Sequence, residues 1–323
     1  MSDRTSTPLS KTNSMVRWLQ AIVMYLVLLP LNLYTAFMEW PELKYGDYKP
    51  PSILFVRFVS APLRWLLPLQ DEGMEEVINI IKQNPKQKLI FIGNHLIYGL
   101  DVVFLVIHIY LETGIYLRGI ADTFHFQIPI HKHLVQWFGG VKGTVENCTK
   151  LMEAGQPILI LPGGAEEVVK DSRIPPYTLI WKDRTGFAKL SVKHGYKIVP
   201  YGIVGLEDMV VHAFSIPLKP FFAILGDHRS KDKVFNPAAH KTSIPPPVPD
   251  MRLPVIYPYL SFQKSYLVFG EIVDASEYDL DDIESIYALR NRVRNEVETS
   301  IRKGRQIQFV DPQRYLWRRV LGI

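Results

Sequence analysis

Two short segments of this 323-residue chain hold side chains able to move a proton or steady a developing negative charge. The first is Gly93-Asn94-His95-Leu96-Ile97-Tyr98-Gly99-Leu100-Asp101, which follows the apolar run Lys88–Ile92. An imidazole titrates near ~6.5 and takes a proton from a hydroxyl at neutral pH. A carboxylate that orients it is a recurrent companion. If a helix opens near Gly99, Asp101 falls in its first turn and folds back toward His95. The second segment is Leu161-Pro162-Gly163-Gly164-Ala165-Glu166-Glu167, after Pro157–Leu161. Paired glycines let backbone approach a ligand and aim amide hydrogens at an oxyanion. Taken singly, a His followed six residues later by Asp is common, and Gly-Gly equally describes a tight turn before a helix.

The elements that must position these loops alternate. Helical periodicity predicts helices over Glu75–Gln83, Gly99–Glu112, Val145–Ala154 and Thr185–His194. Short apolar runs at Lys88–Ile92, Ile115–Ala121, Pro157–Leu161, Lys197–Gly202 and Tyr266–Val273 predict strands. Such alternation specifies an α/β domain with a largely parallel central sheet flanked by helices, and function then sits in loops at the C-terminal strand ends. Asp281–Lys303 is the clearest amphipathic helix, with Ile283, Ile286, Tyr287, Val293, Val297 and Ile301 recurring every three or four residues. Seven prolines between Val234 and Pro258 read as a long surface loop. The apolar stretches Phe214–Leu225 and Leu253–Leu260 line an acyl path, touch lipid or fill a packed loop.

The N-terminal region reads differently. Residues 1–15 are a polar, disordered tail. Trp18–Met38 then runs without a charge. A helix of that length reaches ~31 Å, enough for a hydrocarbon core of ~30 Å. Pro30 and Asn32 leave a re-entrant hairpin open beside a single pass, with a buried core helix as the third reading. Ile53–Leu69 carries Arg57 and Arg64 and is interrupted by Pro62 and Pro68, which suits an interfacial helix better than a span. The organisation is therefore a tail over 1–15, a membrane-anchoring segment over 16–70, a catalytic domain over 71–305 and a basic, aromatic tail over 306–323. In that tail Arg314, Arg318 and Arg319 stand beside Tyr315 and Trp317, which reads equally as a membrane-surface segment or a solvated C-terminus.

Composition closes other routes. Hydrophobic residues at 47% and charged residues at 21% support a core and exclude wholesale disorder. A net charge of +5 without a long basic run gives nucleic-acid binding no support. One cysteine, Cys148, excludes an internal disulfide framework and a cysteine-based zinc cluster, and it reads as a small buried residue. His125, His131 and His133 lack metal-ligand spacing, so no metal is expected. The sequon Asn147-Cys148-Thr149 falls on a helix of the catalytic domain. The Gly-x-Ser-x-Gly elbow of serine lipases is absent.

The order His-x5-Asp, Pro-Gly-Gly-x-x-Glu, Arg184-Thr185-Gly186-Phe187 and Val199-Pro200 resembles the lysophospholipid acyltransferase-like superfamily. More narrowly it is similar to the branch of type-2 diacylglycerol acyltransferases, transmembrane protein 68 and phytyl ester synthases. The resemblance covers residues 88–208 well and the strand and helix over 266–302 more loosely. It implies that His95 is a general base and Asp101 its partner. It also implies that Pro162, Gly163, Gly164 and Glu167 shape the acceptor and acyl site, and that Arg184, with Gly186 and Lys189, meets the acyl donor. The broader superfamily places four residues between its His and Asp, whereas five intervene here. Its Glu-Gly-Thr-Arg motif is replaced by Gly164-Ala165-Glu166, and Val145 stands where relatives often carry a basic residue. Lacking the bidentate arginine that grips a phosphate, the acceptor is expected to be a neutral lipid alcohol. The resemblance thus implies transfer from acyl-CoA, as co-substrate and without cofactor, to a mono- or diacylglycerol-like alcohol in triacylglycerol biosynthesis. The setting it implies is an endoplasmic reticulum membrane, with the domain facing the cytosol. The alternatives are acylation of a lysophospholipid such as lysophosphatidic acid, and a non-catalytic lipid-binding protein of the same fold.

Overall fold

The computed structural model of the chain describes residues 48–96, 99–126, 129–168, 170, 174–217, 252–258 and 262–322. The tail expected at 1–15 and the span Trp18–Met38 lie outside the described residues. No helix among the described residues is long and apolar enough to cross a membrane.

Helix α1 (Ile53–Leu66) opens at Ser52, whose hydroxyl accepts the Phe55 N–H at 3.2 Å. Pro62 does not interrupt it: the ring lies on the exposed side, where its one missing backbone bond leaves the helix continuous. Then follow β1 (Leu69–Glu72), α2 (Met74–Gln83), β2 (Leu89–Gly93), α3 (Leu100–Thr113), β3 (Arg118–Ala121), α4 (Pro129–Trp137), β4 (Val141–Lys142), α5 (Val145–Glu153), β5 (Ile158–Ile160), α6 (Ala165–Val168), α7 (Gly186–His194) and β6 (Lys197–Val204). A ribbon of β7 (Val210–Pro217) and β8 (Arg252–Pro258) precedes β9 (Ser265–Phe269), β10 (Val273–Asp274), α8 (Ile283–Val310) and α9 (Leu316–Leu321).

The sheet runs β1-β9-β6-β2-β5-β3-β4, with β10 beside β6. Pairings are parallel at β1–β9, β6–β2, β2–β5, β5–β3 and β3–β4, and antiparallel at β9–β6 and β10–β6. This is the expected α/β layout with a mostly parallel sheet. Strands β2 and β9 are buried at every position, as a sheet covered on both faces requires. Because β2, β3, β4, β5 and β6 run together, their C-terminal ends share one rim. β1 and β9 run the other way, so Leu69 and Ser265, which begin them and pair with each other, lie at that same rim.

Several strand ends differ from the sequence expectation by a few residues, the stretch Tyr266–Val273 divides into β9 and β10, and two boundaries differ more. Of the stretch read as a proline-rich loop, residues 252–258 form β8 against β7 despite Pro254 and Pro258. In a two-stranded ribbon each strand has an unpaired edge, where a missing N–H costs no ladder bond. Residues 218–251 lie outside the description. Helix α8 does not stop at Lys303 but continues to Val310, because Gly304 is an interior seat for Val204 rather than a terminator: a Cβ there would come within 3.1 Å of Val204 Cγ2.

The core joins the sheet to the buried stripe Ile286, Leu289, Val293, Val297 and Ile301 of α8. The closest approach is at Gly202 of β6, where a Cβ would lie 2.5 Å from the Ile301 backbone nitrogen. Gly202→Ala must push α8 off the sheet and is expected to cost ~1–3 kcal/mol, read as a lowered denaturation midpoint.

Candidate active site

The His95 loop is built by the end of β2. That strand closes on Gly93, where a Cβ would lie 2.3 Å from the Tyr201 ring carbon Cζ, so only glycine lets β2 and β6 lie side by side here. Asn94, almost wholly buried, then replaces the ladder with its side chain. Its amide donates to Ile203 O and its carbonyl accepts from Ile203 N–H, both at 2.9 Å. The next amide, His95 N–H, donates to Glu167 Oε2 at 2.8 Å. Three consecutive residues thus fix where the imidazole leaves the sheet.

Asp101 arrives from the other side. Gly99 sits at φ +72°, a left-handed conformation that turns the chain from the loop into α3. A Cβ there would lie 3.4 Å from His95 Cε1. Asp101 is in the first turn of α3 and 1% exposed, and its carboxylate oxygens are 3.0 and 3.2 Å from His95 Nδ1. A carboxylate only accepts, so Nδ1 carries the hydrogen and Nε2 holds the lone pair. No described residue hydrogen-bonds to Nε2, and the imidazole is 14% exposed. Burial opposes the imidazolium, but the charge and hydrogen bond of Asp101, with the charge of Glu167, outweigh both burial and Lys170. His95 therefore protonates above its ordinary range.

The second loop leans on the same carboxylate. Glu167 is fully buried; its second oxygen, Oε1, accepts the Ile180 N–H at 2.6 Å. Burial pushes its carboxyl upward, opposed by these two amides and by the charges of His95 and Lys170. A Cβ at Gly163 would fall 1.8 Å from Glu167 Cδ, which accounts for the first glycine. The second, Gly164, has φ +54° and donates its amide to Leu161 O at 3.0 Å, so that hydrogen belongs to the turn. Pro162 and Gly163 are buried, and their carbonyls accept from Arg184 Nη1 at 2.5 and 2.7 Å. Arg184 Nη2 lies 3.7 Å from Glu166 Oε1. The guanidinium braces the glycine loop while remaining about one third exposed, at 34%. Gly186 and Lys189 occupy the first turn of α7, and Lys189 forms no ion pair with a described residue.

The structure thus gathers His95, Asp101, Pro162, Gly163, Gly164, Glu167 and Arg184 in one connected cluster at the rim, with Gly186 and Lys189 on the helix that follows Arg184. Sequence reading missed three members. Asn94 is a polar residue directly after an apolar strand, Tyr201 interrupts the apolar run of β6, and both signals were visible. Tyr201 is fully buried with no described partner for its hydroxyl. Burial, reinforced by the charges of Asp101 and Glu167, holds that phenol well above its usual range. Lys170 had no signal; it is buried and meets the equally buried Glu207 at 2.6 Å. Cys148 is buried, with its thiol pushed up to about 12 by burial. Among the described residues no cluster of His, Cys, Asp and Glu is arranged to hold a metal ion.

Comparison with known proteins bears on the same stretch. Residues 86–214 match the family model described as diacylglycerol acyltransferase. A phytyl ester synthase 2, chloroplastic, of Arabidopsis thaliana is 27% identical over 256 residues, covering 72% of this chain and 34% of that protein. The DGAT1/2-independent enzyme synthesizing storage lipids of Mus musculus is 28% identical over 128 residues, covering 40% of this chain and 36% of that one. The matched stretch spans about a third of the length of these relatives. The crystal structure of a 1-acyl-sn-glycerophosphate acyltransferase from Thermotoga maritima aligns over 86% of this chain and 90% of that one, at 14% identity and a TM-score of 0.42. The resemblance carried by the motifs therefore holds for the segment that builds the cluster.

Asn94 is the anchor whose removal is simplest to read. Asn94→Ala strands a buried N–H and a buried carbonyl of Ile203 and is expected to lower stability by ~2–4 kcal/mol in equilibrium denaturation.

Proposed function

From the kinship of residues 86–214 with diacylglycerol acyltransferases, we propose that this chain is a membrane-bound O-acyltransferase. It moves a fatty acyl group from acyl-CoA to a neutral lipid alcohol such as mono- or diacylglycerol. The observation that carries the reading is the 3.0 Å contact between His95 Nδ1 and Asp101, which leaves Nε2 as the basic atom.

In this reading Nε2 takes the proton of the acceptor hydroxyl as its oxygen bonds to the thioester carbonyl carbon. The tetrahedral oxyanion collapses, the carbon–sulfur bond breaks, and the coenzyme A thiolate leaves, taking a proton back from the imidazolium. No covalent acyl-enzyme is needed, and base assistance of this kind is worth typically ~10²–10⁴ in rate. Asp101 holds the tautomer and stabilises the transient imidazolium. Arg184, Lys189 and the N-terminus of α7 supply positive potential suited to the phosphates of the donor. The loop of Pro162, Gly163, Gly164 and Glu167 walls the acceptor side. One point favours a neutral acceptor there: the loop itself carries no arginine, and Lys182, the lysine beside it, is already matched by Glu166 at 2.6 Å. The setting that suits such an acceptor is a lipid bilayer, with the endoplasmic reticulum, cytosolic face, as the assignment by resemblance.

The test is lipid analysis after expression in cells lacking their own neutral-lipid acyltransferases. The wild type is expected to produce new neutral esters, and His95→Ala at equal abundance to produce none. Retained synthesis by His95→Ala removes the base, and preference for lysophosphatidic acid in an acceptor panel removes the neutral acceptor. With purified membranes, kcat/KM rises with pH through an apparent pKa above ~6.5, since the base must be unprotonated and its partner raises that value.

A further inference from the structure

Large apolar side chains cluster at one place outside the active site. Phe58 and Trp65 of α1, Phe309 at the end of α8, and Trp317, Val320 and Leu321 of α9 are each between 52% and 82% exposed. Helix α1 is distant in sequence from the end of α8 and from α9, but contacts bring them together. Arg319 Nη2 donates to Leu66 O at 3.0 Å, tying α9 to the last residue of α1. Residues 262–264, just before β9, pair with residues 314–316 at the start of α9: Lys264 N–H donates to Arg314 O and Leu316 N–H to Phe262 O, both at 2.7 Å. Asp311, which follows Val310, accepts from Lys264 Nζ at 2.9 Å and from the Tyr266 hydroxyl at 2.8 Å.

The location follows from the sheet. Ser265 N–H donates to Pro68 O at 2.9 Å, and Leu69 pairs with Ser265. Those residues begin β9 and β1, and both beginnings lie at the rim from which the His95 loop departs. The apolar side chains therefore frame the same end of the sheet as the candidate active site.

Charge selects the occupant. Helices α1 and α9 carry Arg57, Arg64, Arg318 and Arg319 and not one carboxylate. Arg57 is exposed, and Arg318 lies 5.1 Å from the Trp317 ring centre. A second copy of the chain docking about a two-fold axis would bring these arginines against one another. A surface of anionic headgroups over hydrocarbon satisfies both chemistries: aromatic and aliphatic side chains sink into the interface and arginines meet the phosphates. We propose that α1, the end of α8 and α9 form a single docking face for an anionic lipid bilayer, so that the chain is held at two points far apart in sequence. This face presents the His95 rim to the membrane. The inference draws on neither the acyl-transfer chemistry nor the anchor expected at Trp18–Met38.

The lone cysteine makes a direct test practical, since Cys148 is buried and its thiol is poorly ionised. Full-length chains carrying Phe58→Cys, Trp317→Cys or Val320→Cys are labelled with a polarity-sensitive fluorophore, with Lys86→Cys, exposed before β2 at the opposite rim, as control. Cys148 left unlabelled in each variant reports an intact core. Each chain is reconstituted with vesicles of phosphatidylcholine with and without phosphatidylserine. The expected result is a blue shift and severalfold brightening at positions 58, 317 and 320 with anionic vesicles, weakened by high salt, and none at position 86. The proposal is overturned if the chain binds vesicles while labels at 317 and 320 stay aqueous. It is equally overturned if those labels shift with rising protein concentration and no lipid, which would assign the face to a second copy.

Discussion

A single contact between an imidazole and a carboxylate, 3.0 Å long and almost removed from water, organises this molecule. Neither partner reaches it unaided. His95 is held through three contacts on two neighbouring elements: Asn94 locked to β6, its own N–H locked to Glu167 of α6, and Gly93 flattened against Tyr201 of β6. Asp101 is delivered by the left-handed turn at Gly99, which starts α3 beside the ring. The glycine loop belongs to the same framework, because Glu167 serves the His95 amide with one oxygen and the Ile180 amide with the other.

The framework also assigns the roles of charge. Arg184 spends one nitrogen on the carbonyls of Pro162 and Gly163, and its Nη2 lies 3.7 Å from Glu166 Oε1, so it shapes the loop. Glu167 is inaccessible and acts by positioning backbone. Partly exposed cations include Lys189 and Arg184 beside the glycine loop and the arginines of α1 and α9 at the apolar face. The proposed transfer from a water-soluble anionic donor to a bilayer-borne alcohol would use such a division, with cations near the donor's nucleotide end and a greasy, cation-fringed surface where the alcohol enters.

Much of this was readable from the residues. The alternation of apolar runs with helical periods specified the parallel sheet, and the positions of His95 and Gly163 after two such runs placed them at strand ends. Asp101 was reachable because Gly99 marked a helix start. The rest depended on contacts that chain order hides. Gly304 looks like a helix stop until Val204 is seen beneath it, and Pro254 looks like a loop residue until β7 pairs with only one edge of β8. Asn94, 109 residues from Ile203, and Lys170, 37 residues from Glu207, find partners that only tertiary structure brings close. For α1 the sequence already pointed to an interfacial helix, but its adjacency to α9 rests on contacts such as Arg319 to Leu66 O that chain order hides.

The most direct test of the central contact is a nitrogen NMR titration of the full chain with selectively labelled histidines. Nine histidines are present, and His95 is assigned by the signal lost in His95→Gln. The neutral ring is expected to carry its hydrogen on Nδ1 and to titrate above ~6.5, the raised value falling in Asp101→Asn. A ring protonated on Nε2 when neutral, or a titration that Asp101→Asn leaves unmoved, would contradict the account.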